Sequence, residues 1–131
     1  MIEKIVEIFE ENSNKIAYII NDKKITYKEL LDRSLFVSKL LKKQGKEPVI
    51  IYGHKSIDML VSIIACLLAK RTYIPVDTYT PISRIKKIID MTQSTLIIKN
   101  EYIDNLFEIE TLTLNDLIKY DKYNEICITC Y

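Results

Sequence analysis

Cys127 and Cys130 stand in a C-x-x-C spacing, the arrangement of a redox dithiol or of half a zinc site. Both chemistries need thiols that converge, usually at a turn or a helix start. Residues 125–130 instead have the pattern of a strand, where positions three apart point to opposite faces. The chain has no second cysteine pair and a single histidine, so ordinary strand cysteines are expected, with no metal and no mutual disulfide. Cys66 lies in an apolar segment and reads as a small core side chain. His54 follows a strand, the position where α/β folds place ligands. No nucleophile or acidic orienter is evident beside it, so a turn or supporting role is expected. Asp77 follows the next strand and reads as a loop-anchoring acceptor ahead of a helix at 80–91. No residue of the chain is therefore expected to be catalytic, cofactor-binding or metal-binding.

The elements that position these residues belong to one domain. The chain has 131 residues, 48% hydrophobic and 28% charged, the balance of one globular unit and not of a disordered tail. Net charge is +1, which leaves no electrostatic footprint for nucleic acid. Charge is uneven: residues 101–131 carry 2 of the 19 basic and 7 of the 18 acidic residues, read as solvated surface. The longest apolar run, Met59 to Ala69, is too short for a bilayer, which takes ~20 residues. The N-terminus alternates charged and apolar residues and lacks a signal-peptide core. Three cysteines, an odd number, suggest reduced thiols and a cytoplasmic setting.

Ile2, Ile5, Val6 and Phe9 recur at helical spacing and predict a helix over 2–12. Ala17 to Ile20 and Lys23 to Ile25, turned by Asn21-Asp22, predict a hairpin. Thr26-Tyr27-Lys28-Glu29 has the form of a capping box, with Ile25 and Leu30 as its staple. Leu30, Leu31, Leu35, Val37, Ser38, Leu40 and Leu41 make one apolar stripe, closed by Gly45. Val49 to Tyr52 predicts a buried strand, ended by Gly53. Ser56 caps a helix that is apolar almost all round, from Ile57 to Ala69. Tyr73-Ile74-Pro75-Val76 predicts a strand whose proline places it at an end or an edge. Pro81 reads as the first helical residue of the next helix. Residues 95–98 and 109–112 are further strand candidates, with a short helix at 114–118. This alternation implies an open, mostly parallel α/β sheet with helices on both faces, the strands at 49–52, 73–76 and 95–98 being neighbours.

Three blocks then resemble one superfamily, in order and over nearly the whole chain. Ile25-Thr26-Tyr27-Lys28-Glu29-Leu30 is similar to the T-Y-x-E-L signature that opens adenylation domains of peptide synthetases, acyl-CoA synthetases and luciferase. Val49 to Met59, with its Tyr52-Gly53-His54 strand end, resembles the D-alanine–D-alanyl carrier protein ligase branch. Leu67 to Asp77, continuing through Pro81 and Arg84-Ile85, resembles the K-A-G-x-A-Y-x-P-V-D block of amino-acid adenylation domains. One departure is Lys70, where the family usually has the glycine that a helix end with positive φ favours.

The resemblance implies that residues 1–131 are the N-terminal segment of an AMP-binding adenylation domain. The strand at 126–131 would precede the family's Ser/Thr/Gly-rich phosphate loop. The parent reaction would be ATP- and Mg-dependent activation of an amino acid, D-alanine being expected, and its transfer to a carrier protein's phosphopantetheine thiol. No cofactor is expected in these residues themselves, which are expected to be inactive alone. The rest of the adenylation domain, or a second copy meeting an unpaired edge around Ile126 and Ile128, is the expected partner, with neither nucleic acid nor membrane. A peptide-synthetase adenylation segment and a non-enzymatic Rossmann-like docking module remain open alternatives.

Overall fold

The structure, a computed structural model, describes residues 2–104 and 106–119. The strand expected at 125–130, with Cys127, Cys130 and the edge at Ile126 and Ile128, lies outside the described residues. The chain begins with helix α1 (Ile2–Glu11), whose Phe9 ring meets Tyr27 edge-on at 5.1 Å. Strands β1 (Ile16–Ile20) and β2 (Lys23–Thr26) then form an antiparallel hairpin. Asn21 and Asp22 both take positive φ, 48° and 65°, the turn that matches strand twist and that these two residue types tolerate.

Helix α2 (Tyr27–Gln44) starts at Thr26, whose hydroxyl accepts from the Glu29 amide at 3.2 Å. The same hydroxyl donates to the Glu29 carboxylate at 3.1 Å. The box thus closes side chain to side chain; the carboxylate does not take the Thr26 amide that the sequence pattern suggests. Ile25 and Leu30 are both buried in one cluster, as the staple requires. Thr26→Ala should cost about 1 kcal/mol; urea melts placing the variant within ~0.2 kcal/mol of the parent would show that the cap carries no load. On the stripe, Ser34 is buried where Leu35 is half-buried. Gly45 ends the helix with an extended backbone (φ 167°), not the left-handed cap the glycine suggested.

The main sheet joins β3 (Val49–Tyr52), β4 (Tyr73–Val76), β5 (Leu96–Lys99) and β6 (Glu110–Leu112) in the order β4-β3-β5-β6, all parallel. The three strands predicted as neighbours are neighbours, and Pro75 lies in an edge strand. Alternation divides the core into two layers. Val49, Ile51, Leu96 and Ile98 face α2 and α3 (Ile57–Leu68), together with Leu114 and Leu117 of helical residues 114–119. Ile50, Tyr52, Val76 and Ile97 face Ile85 of α4 (Ile82–Thr92) and the segment holding Ile103 and Phe107. Each fully buried Val or Ile of the central strands adds roughly 1.5–3 kcal/mol. Pro81 is the residue before α4, with extended backbone (φ −61°, ψ 146°), so the helix begins one position later than the sequence suggested.

The end of α3 accounts for Lys70. The Arg71 amide reaches back to the Cys66 carbonyl at 3.0 Å and the Lys70 amide to the Leu67 carbonyl at 3.2 Å, a Schellman closure. Lys70 holds the left-handed position at φ 57°, which costs an L-residue roughly 1–2 kcal/mol. Glycine removes that strain but loses more backbone entropy on folding, roughly 0.5–1 kcal/mol. Lys70→Gly should therefore raise stability by about 0.5–1 kcal/mol in thermal or urea unfolding, while Lys70→Ala leaves it nearly unchanged. A glycine variant no more stable than the alanine one would refute this account.

Candidate functional site

The strand order sends the chain out from β3 to β4 and back past β3 to β5. That reversal opens a switch point between β3 and β5, beyond whose carboxyl ends open α/β sheets bind ligands. Gly53 and His54 leave β3 there, Asp77 leaves β4 and Asn100 leaves β5. The structure thus brings together two of the residues singled out by sequence: His54 Nδ1 lies 3.8 Å from Asp77 Oδ1. Both side chains are more than half exposed (59% and 54%), so water screens the pair and it contributes little. Partial burial would raise the Asp77 carboxyl, but the Thr78 hydroxyl and amide, the Tyr79 amide and then His54 outweigh it and hold it below its usual value. The Asp77 carbonyl also accepts from the Thr80 amide at 3.0 Å, the loop-anchoring role its position predicted.

At the carboxyl ends of β3 and β5 the two strand exits touch. Asn100 donates its amide to the Tyr52 carbonyl at 2.8 Å, and its side chain reaches the same carbonyl (3.4 Å) and Met59 Sδ (3.5 Å). Gly53 donates to the Val76 carbonyl at 3.1 Å with φ 151°. A Cβ on Gly53 would lie 2.9 Å from the Asn100 Cβ. Asn100 therefore packs directly against the Gly53 backbone at the carboxyl ends of β3 and β5. Beside it, Lys99, Glu101, Tyr102 and Thr113 line a shallow polar cleft of about 470 Å³. No three His, Cys, Asp or Glu side chains converge on a metal position among the described residues. Burial pushes the Cys66 thiol up to about 12, which leaves it a packing group and not a nucleophile.

Sequence reasoning passed over Arg71, which is 5% exposed. Its Nε and Nη2 donate to the Glu47 carbonyl (2.9 and 2.6 Å), and its Nη1 to the Leu41 carbonyl (2.9 Å) and Gln44 Oε1 (2.6 Å). The guanidinium ties the last turn of α2 to the entry of β3, and so fixes the strand that carries Gly53 and His54.

A parallel sheet with this reversal, covered by helices on both faces, is a doubly wound α/β domain of the kind that handles nucleotides. The chain belongs to the AMP-binding enzyme family, whose sequence pattern it matches over residues 6–126. It is similar to the D-alanine–D-alanyl carrier protein ligase of Staphylococcus haemolyticus, 32% identical over 93% of this chain and 25% of the relative. The ligase of the same name from Bacillus licheniformis is 33% identical over 76% of this chain and 20% of the relative. The chain thus spans a fifth to a quarter of the length of these relatives. In fold it resembles the N-terminal subdomain of NpsA from Klebsiella oxytoca, with a TM-score of 0.78 at 18% identity over 91% of this chain and 32% of that one. O-succinylbenzoate Coenzyme A synthetase from Bacillus subtilis also gives 0.78, at 16% identity over 88% of this chain and 32% of that one.

Proposed function

We propose that residues 1–131 are the front part of the large N-terminal region of an amino-acid adenylating ligase, and that they act as scaffold. In the parent reaction the carboxylate of an amino acid, D-alanine by likeness to the named relatives, attacks the α-phosphorus of ATP, and pyrophosphate leaves. A carrier-protein thiol then takes the acyl group and AMP leaves. Magnesium and ATP are bound, in this reading, by other parts of the domain, and the setting is cytoplasmic. None of the described helices is long and apolar enough to cross a membrane.

The observation that supports the scaffold reading is Arg71, whose guanidinium joins the end of α2 to the entry of β3 and is used wholly within the fold. Adenylation needs positioned groups for charge developing on the α-phosphate. Exposed lysines on helix faces do not supply them, because their fields are screened within about 10 Å. The 131-residue chain, incubated with ATP, magnesium and D-alanine, should give no pyrophosphate exchange above background. Exchange that disappears when D-alanine is withheld would sink the scaffold reading. The scaffold role itself is tested by grafting residues 1–131 onto the remainder of a D-alanine ligase. The graft should retain D-alanine-dependent exchange.

A further inference from the structure

We draw no further inference here: the strongest candidate, the open cavity of about 380 Å³ where Lys23, Arg33 and Lys55 surround the first turn of α3, carries none, because Arg33 is already paired with Asp58 at 2.7 Å and, among the described residues, no unpartnered buried side chain lines it to point to a ligand at that helix N-terminus.

Discussion

Arg71→Met should lower the unfolding free energy by about 3 kcal/mol, the largest loss expected from any polar residue described. Methionine roughly conserves the volume, so little of the effect comes from a cavity. What is lost is a set of charge-assisted hydrogen bonds, each worth roughly 1.5–3 kcal/mol gross of its context. The carbonyls of Leu41 and Glu47 are left behind, and both accept from Arg71 at 2.9 Å or less. The Leu41 carbonyl keeps only the long 3.4 Å bond from the Gly45 amide, and Leu41 is fully buried, so water is poorly placed to replace the arginine there. Arg71→Lys should recover less than half of the loss, because a point ammonium cannot span acceptors that a planar fork reaches at once. Urea melts decide it: at a slope of roughly 1–3 kcal/mol per molar, the methionine variant should shift its midpoint by at least 1 M. A shift under about 0.3 M would mean that α2 and β3 hold together without the arginine.

Arg71 also marks the limit of what the sequence could say. The strands were legible because Val49 to Tyr52 and residues 95–98 are short apolar runs bounded by turns, and alternation then divides them between two buried faces. Helix starts at Thr26 and Ser56 were legible because capping is local chemistry, complete within four residues. Pro75 announced an edge because it lacks the amide a central strand needs. Arg71 sends no such signal. Its acceptors lie 24 to 30 residues back in the chain, and a cation after an apolar helix reads as surface. Ser34 was missed in the same way, since nothing in the stripe's spacing marks its hydroxyl as buried. Lys70 was flagged, but through resemblance to a family with glycine there and not through its own spacing. The candidate site was half legible: His54 and Asp77 each end a strand, and topology brings them to 3.8 Å. That Asn100 packs against Gly53 beside them is foretold by no pattern near Gly53.

Gly53→Ala should cost about 2–4 kcal/mol, and two separate causes contribute to it. The first is backbone: φ of 151° is a conformation that side-chain-bearing residues rarely adopt. The second is space, for the new methyl would stand 2.9 Å from the Asn100 Cβ and 3.5 Å from its Cα. Asn100 cannot simply step aside. Its amide is bonded to the Tyr52 carbonyl at 2.8 Å, one residue before the glycine, so moving it pulls β5 away from β3 at their carboxyl ends. The two causes separate in a double-mutant cycle. Asn100→Gly removes the opposing Cβ and the side-chain contacts to Tyr52 and Met59, and alone should cost about 1 kcal/mol. If the clash dominates, the double variant should be at least ~1 kcal/mol more stable than additivity predicts. If the two costs add within ~0.3 kcal/mol, the loss is backbone strain alone and Asn100 is not what forbids a side chain at position 53. The cycle also bears on function, because the two residues meet at the switch point between β3 and β5. A double variant that regains stability and still binds no nucleotide, by equilibrium dialysis with ATP and magnesium, would show that opening this crevice does not create a phosphate site. That is the expected result, since neither substitution adds convergent amides or a metal-holding carboxylate to the carboxyl ends of β3 and β5.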